Sequence, residues 1–378
     1  MRIGVDVRPF LSRETGVGTY LRNLLFELAR IDDRNEYCLF SSSWKERFPP
    51  EKVPPFARAR LRDLRIPVRA VNFLWYRLSW PPFERFFGGP LDLTHSPTPV
   101  PLPGRSKKIV TVYDLFFLED PAKSVREARR VFARNAAGSL KAADGILAIS
   151  DFTRRAILER FPMPEAKIAV APLGLGPRFQ EDVPAASLEE TRRRLRLPAD
   201  FILFVGAVEK RKNLVNLLEA LARLRKSGDG IDLVLAGKEG EASAEVAAAA
   251  VRLGLGSAVR TLGYLSDPEI RDLYRLARLL IFPSLCEGFG LPLLEAMASG
   301  LPAAVSRTGA LPEVGGDAAA YFEPEDPEDI ARVVRDLLGD GAKRRELAER
   351  GRRRASGFRW AETARRTLAF YERTAGAG

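Results

Sequence analysis

The sequence predicts an α/β protein built on two parallel sheets, and three observations carry that expectation. Short apolar, β-branched runs alternate with amphipathic helical stretches along the chain, the pattern of parallel strands covered on both faces by helices. The pattern breaks once, at 172–198, where Gly174, Gly176, Pro177 and Pro184 precede a charged stretch, and it restarts at FILFVG, 201–206. The length of 378 residues is long for one domain and right for two. The domain boundary falls within 175–198, and each half is large enough for its own Rossmann-like sheet.

In chain order, strands are expected at 2–7, 37–40, 91–95, 108–112, 145–149 and 168–171 in the first half. In the second they are expected at 201–205, 232–236, 260–262, 279–282 and 303–305. Helices are expected between them, among others at 17–30, 125–143, 214–226 and 267–277, and residues 374–378 are expected to fray.

The first ten residues carry Asp6 and Arg8, which a secretory apolar region would not. No apolar run approaches the roughly 18–20 residues of a membrane span. Cys38 and Cys286 make no disulfide framework and no metal-ligand spacing, so the expected compartment is the reducing cytoplasm. The net charge is +11, and residues 1–180 hold 30 Lys and Arg against 19 Asp and Glu, while residues 181–378 hold 30 of each. A basic excess confined to one half points either to an anionic partner or to a solvated arginine-rich surface.

Three segments carry chemistry. After the first strand, Gly16 and Gly18 open a helix, which is either a phosphate-approaching turn or simply a tight loop. A dinucleotide site would want a third glycine and a carboxylate after the second strand, but Leu21 and the serines 41–43 stand there. In GAVEKRKNL, 206–214, Arg211 and Lys212 lie between a strand's carboxyl end and a helix. Arginine's fork and lysine's point charge at that place suit a diphosphate. In PSLCEGFGLPLLEAMASGLPAAVS, 283–306, the loop with Glu287, Gly288, Phe289 and Gly290 opens a helix with Pro292 in its first turn. Its backbone N–H groups face an anion. Glu295 sits one turn inside, placed for ribose hydroxyls, and Glu287 is placed for sugar hydroxyls. Two carboxylates beside a phosphate site favour a sugar nucleotide over an inorganic anion.

These stretches resemble glycosyltransferase family 4, enzymes of the GT-B fold, over nearly the full chain. The resemblance runs through ETGVGTYLRNLL (14–25), HSPTPVPLP (95–103), SDFTRRAI (150–157), PLGLGPRF (172–179), VGAVEKRKNL (205–214), LGYLSDPEIRDLY (262–274), the E-x7-E pair Glu287 and Glu295, and FRWAETARRTLAFYE (358–372). It implies two Rossmann-like domains facing across a cleft: an acceptor domain, 1–178, completed by a C-terminal helix, 358–378, that crosses back to it, and a nucleotide-sugar domain, 179–357. It further implies that Arg211 and Lys212 hold the donor diphosphate, Glu295 the ribose and Glu287 the transferred sugar. The N–H groups of Phe289, Gly290 and Leu291 would line that sugar, the base would dock at Gly263, Tyr264 and Leu265, and Gly16 and Gly18 would let a loop close on the phosphates. No metal or other cofactor is implied, in keeping with the lack of a DxD pair, and no side-chain nucleophile. Retention follows from front-face attack, a donor phosphate oxygen taking the acceptor proton.

Tyr113 departs from the family, many of whose members carry histidine there. Asp114 beside it is a candidate to bind acceptor or orient the site, or a strand-end cap. His95, the one histidine, is an acceptor-side candidate or a structural residue. The aromatic and basic stretch 70–87 is either a core helix or a contact for an anionic membrane or a lipid-linked acceptor. The expected activity is transfer of a hexose, GDP-mannose favoured as donor, to a polysaccharide or lipid-linked acceptor, at a cytoplasmic or peripheral membrane location. A GT-B epimerase, a noncatalytic sugar-nucleotide binder and a nucleic-acid binder are the alternatives. The last lacks any recognisable motif.

Overall fold

A computed structural model of the chain describes residues 1–11, 16–119 and 136–376. Most of the helix expected at 125–143 lies outside these residues, as do Glu14, Thr15 and residues 377–378. The chain divides into two compact units, Met1–Gly174 with Arg359–Gly378, and Leu175–Phe358. The first crossing precedes the expected 178/179 because Phe179 is buried within unit 2, where its carbonyl accepts from Ser299 Oγ at 3.4 Å.

Unit 1 carries a seven-stranded parallel sheet of β1 (Arg2–Asp6), β2 (Glu36–Ser42), β3 (Ala59–Leu64), β4 (Leu93–Ser96), β5 (Lys107–Val112), β6 (Gly145–Ala148) and β7 (Ile168–Val170), in the order β3-β2-β1-β4-β5-β6-β7. Unit 2 carries β8 (Phe201–Val205), β9 (Asp232–Ala236), β10 (Val259–Gly263), β11 (Leu279–Phe282), β12 (Ala303–Ser306) and β13 (Ala320–Phe322), in the order β10-β9-β8-β11-β12-β13. In both, the order reverses beside the unit's first strand. That reversal opens a crevice at the strands' carboxyl ends, between β1 and β4 and between β8 and β11.

The central strands are the ones readable as apolar runs. All four residues of LLIF in β11 are fully buried, as expected where helices cover both faces. β3 and β13 were not expected from the sequence, and both are edges. β3 reads ARLRDL with Arg60 and Arg62 exposed, the charged edge that discourages further pairing. β13 is three residues long.

The helix Trp360–Gly376 belongs to unit 1. Its Phe370 and Tyr371 are buried, and Thr363 Oγ1 donates to the Pro172 carbonyl at 2.5 Å. A Cβ on Gly174 would stand 2.2 Å from the Trp360 nitrogen, so the chain can pass this close to the helix only as glycine. Phe370→Ala would empty a fully packed site at a cost of about 3–5 kcal/mol.

Candidate functional site

In unit 2 the crevice between β8 and β11 is built from the two loops that leave those strands. After β8 the chain makes a single 3-10 turn, Lys210–Lys212, and Asn213 takes a left-handed φ of 58° before the helix Leu214–Lys226 begins. After β11 the loop runs to Gly290 and the helix Leu291–Ala298, with a proline in its first turn. Gly290 has φ 99°, and a Cβ there would lie 2.6 Å from Leu311 Cδ2, so conformation and space both require glycine. The loops are tied together by Leu285 N–H donating to the Arg211 carbonyl at 2.8 Å.

The loops bring Arg211, Lys212 and Glu287 into one cluster. Lys212 Nζ donates to Glu287 Oε1 at 2.6 Å, and Arg211 Nη1 donates to the same oxygen at 3.0 Å. Arg211 Nε donates to Glu209 Oε2 at 2.9 Å. Lys212 is 6% exposed and Glu287 8%, and the ammonium lies 4.7 Å from the centre of the Phe282 ring. Burial pushes the Glu287 carboxyl up, but Lys212 and Arg211 outweigh it and hold the group at about 2. Burial, reinforced by Arg211, pulls the Lys212 ammonium down against Glu287. An ammonium has three donors and Glu287 takes one, which leaves two for a ligand. Removing Glu287 strands Lys212 as a buried charge, at a cost of about 3–5 kcal/mol, whereas removing Lys212 leaves Glu287 with Arg211.

Beside the cluster lies a run of unused backbone donors. Gly288, Phe289 and Gly290 are buried, and among the described residues no hydrogen bond engages their N–H groups or that of Leu291. Buried N–H groups left without partners are rare, and at a helix N-terminus they form an anion site. Phe289 is fixed edge-on against Phe358, ring centres 5.8 Å apart.

Glu295, half-buried, accepts from the Tyr274 hydroxyl at 2.9 Å. Burial pushes its carboxyl up to about 7, against the opposing pull of Tyr274 and Arg178. Gly263 ends β10 with φ 70°, Tyr264 is 52% exposed with Lys238 Nζ 4.8 Å from its ring centre, and Leu265 is buried. Among the described residues no cluster of three or more His, Cys, Asp or Glu could hold a metal ion. Glu209 and Tyr274 were not singled out from sequence. The single acid ahead of three cations in EKRK, 209–212, carried a signal for the first; nothing distinguished the second from a core aromatic.

In unit 1 the expected residues are engaged within the fold. His95 on β4 has no exposed surface. Its Nε2 lies 2.8 Å from Thr111 Oγ1 and its Nδ1 2.6 Å from the Tyr371 hydroxyl. Burial pulls its pKa down to about 3, so it stays neutral. Of the two readings of His95, these contacts support the structural one: it joins the sheet to the C-terminal helix. The Tyr113 hydroxyl donates to the Pro97 carbonyl at 3.0 Å, and its ring stands edge-on to Tyr20. Asp114 Oδ1 accepts from Phe116 N–H at 3.2 Å, the strand-end cap. Gly16 opens the helix Gly16–Ile31, within which Gly18 is buried. At the end of β1, Arg8 Nη2 pairs with Asp6 Oδ2 at 2.7 Å, its guanidinium 4.6 Å from the Trp75 ring centre. That buried pair was read from sequence only as evidence against a leader.

Two families match the chain: Glycosyltransferase Family 4 over residues 15–178 and Glycosyl transferases group 1 over residues 189–354. The chain is 28% identical over 387 residues to an O-antigen chain mannosyltransferase B of Escherichia coli, covering 98% of this chain and 100% of that protein. It is 36% identical over 232 residues to an MMP alpha-(1->4)-mannosyltransferase of Mycolicibacterium hassiacum, covering 60% of this chain and 54% of that one. Among solved structures, the sucrose-phosphate synthase of Thermosynechococcus elongatus matches with a TM-score of 0.77 at 21% identity, covering 100% of both chains, a likeness of fold.

Proposed function

Since the chain belongs to glycosyltransferase family 4 and is a nucleotide-sugar glycosyltransferase of the GT-B fold, we propose that it transfers mannose from GDP-mannose to a polysaccharide or lipid-linked acceptor, with retention of configuration, without a metal ion, at the inner face of a membrane. The observation that carries the reading is the buried run of open N–H groups at Gly288–Leu291 beside the Lys212–Glu287–Arg211 cluster. The mannose comes from the two mannosyltransferase relatives.

In this reading the diphosphate takes the open donors of Lys212 and the Arg211 fork. These cations and the helix N-terminus stabilise the charge that grows on the leaving oxygen, the place where preorganised dipoles act most strongly. Glu287, held anionic, accepts from hydroxyls of the transferred sugar with its second oxygen, and the N–H groups of Phe289, Gly290 and Leu291 line it. Glu295 accepts from the ribose, and the base rests at Gly263, Tyr264 and Leu265. Asp114, with Oδ2 beyond its cap, orients an acceptor hydroxyl. The C1–O bond to the diphosphate breaks with its electron pair on the phosphate. The acceptor oxygen bonds to C1 on the same face, and its proton passes to a phosphate oxygen.

The test is transfer from GDP-mannose, UDP-glucose and dTDP-glucose to a mannose-terminated oligosaccharide in EDTA, with the anomer read by proton NMR. An α-linked mannoside formed at an EDTA-independent rate is expected. An inverted product, a rate restored only by divalent metal, or exclusive use of a UDP-sugar overturns the corresponding element.

A further inference from the structure

The stretch 64–83 of unit 1 divides in a way its composition did not reveal. Val71 and Trp75 of the helix Val68–Leu78 are buried with Phe83 and Phe87 in one core cluster. On the opposite side Phe73 is 60% exposed, and where the helix ends Leu78 is 59% exposed and, just beyond it, Trp80 53%. Of the nine large hydrophobics exposed among the described residues, six lie between positions 44 and 80, so the exposure is concentrated rather than scattered. Arg69, Phe73 and Arg77 follow at four-residue spacing, one stripe of the helix, and among the described residues neither arginine has an ion pair or hydrogen bond. Trp44, also exposed, lies under the Arg65 guanidinium at 5.9 Å. No acidic residue occurs between Asp63 and Glu84.

We propose that the stripe Arg69, Phe73 and Arg77, with the exposed Leu78 and Trp80 at the helix's end and the Trp44–Arg65 pair, docks on an anionic lipid bilayer. It deepens the reading of a membrane-borne acceptor by naming the surface that meets the membrane. Aromatic rings with unpaired arginines suit the headgroup region, where indoles sit and cations meet lipid phosphates. A second copy of the chain is a poor occupant, because a symmetric contact would set the arginines against one another. Each cation near an anionic leaflet contributes roughly fivefold in binding, and an exposed Phe or Trp about tenfold once half-buried. The sum is reversible docking.

The test is cosedimentation with vesicles of phosphatidylcholine and phosphatidylglycerol, against phosphatidylcholine alone. The wild type should pellet with the anionic vesicles, with an affinity that falls as salt rises. Phe73→Ser and Trp80→Ser should each weaken binding about tenfold, and Arg69→Glu with Arg77→Glu more than tenfold. All variants should keep the wild-type thermal shift with GDP, which separates loss of the face from loss of the fold. Failure of GDP to bind any of them would strike the donor reading while leaving the vesicle result intact. Wild-type binding that ignores lipid charge, variants that bind as the wild type does, or a dimer by light scattering that Phe73→Ser dissolves would overturn the proposal.

Discussion

The two units share one strand order and therefore one kind of crevice, yet they use it differently. At the β8/β11 end, polar groups are buried with capacity to spare: donors on Lys212 and a run of N–H groups at Gly288–Leu291. At the β1/β4 end the polar groups are consumed. Arg8 is spent on Asp6 and Trp75, both ring nitrogens of His95 are bonded, and the Tyr113 hydroxyl is given to Pro97. A polar group closed within the fold supports it, while one left open at the carboxyl end of a parallel sheet awaits a ligand. The difference supports the proposal that the donor chemistry belongs to unit 2, while these residues of unit 1 serve its framework.

The largest effect should come from Lys212→Ala. Losing one cation that faces developing charge should cut kcat by about 10²–10³, and leaving Glu287 with Arg211 as its one cationic partner should cost about 1–3 kcal/mol in chemical denaturation. Burial of the pair is what adds the stability cost to the lost transfer. Lys212→Met with Glu287→Leu should regain most of the stability and none of the activity. Regained activity would break the contrast between the crevices.

The same cluster sets an acid limit. Glu287 titrates at about 2 in the folded chain, below an ordinary carboxyl near 4.3. Its contribution to stability is therefore complete above the ordinary value and lost as pH falls through about 2. Glu287→Gln should flatten that part of the acid unfolding curve.

Glu295 runs the other way. Its folded value of about 7 lies above the unfolded one, so its contribution to stability is complete below the ordinary carboxyl range and lost as pH rises through about 7. Glu295→Gln should thus gain stability relative to the wild type above pH 7. GDP affinity of the wild type should fall as pH drops below about 7, because a protonated carboxyl accepts fewer ribose hydrogen bonds. Calorimetric titration from pH 5.5 to 8.5 checks this, and the variant should lose the pH dependence.

In unit 1 the effects should be smaller. Tyr371→Phe leaves a buried imidazole nitrogen short of a partner, at about 1–3 kcal/mol. It should leave the pH profile of kcat unchanged, since His95 is neutral throughout. A shifted profile would return His95 to the chemistry. Asp114→Asn should raise the acceptor KM about fivefold, roughly 1 kcal/mol for one hydrogen bond, with GDP binding untouched.

What was legible follows the same division. Buried strands such as FILFV and LLIF announce themselves because both faces are covered, while ARLRDL at β3 does not, because an edge strand is selected to look unlike one. The loop residues of unit 2 were legible because Gly290, Pro292 and the paired cations have narrow structural uses. The pairing of Lys212 with Glu287, 75 positions apart, was not, since it depends on which strands are neighbours. The two readings of His95 stayed open for a related reason: its type and its place at a strand end were visible, but Tyr371 bonding to it from the far end of the chain was not. In the stretch 70–87, composition held both a core and an exposed aromatic face, and only the packing of Val71 and Trp75 separated them.

The central claim is a metal-independent nucleoside diphosphate site built on Lys212, Arg211 and the Gly288–Leu291 backbone. It is tested most directly by thermal unfolding in EDTA with GDP, UDP, ADP, dTDP or NAD. A ligand at a hundred times its Kd adds about 2.7 kcal/mol, a rise of a few degrees for units of this size. GDP should raise the midpoint of the wild type but not that of Lys212→Met with Glu287→Leu, and NAD should raise neither. No rise with any diphosphate, or a rise equal in both proteins, would contradict the account.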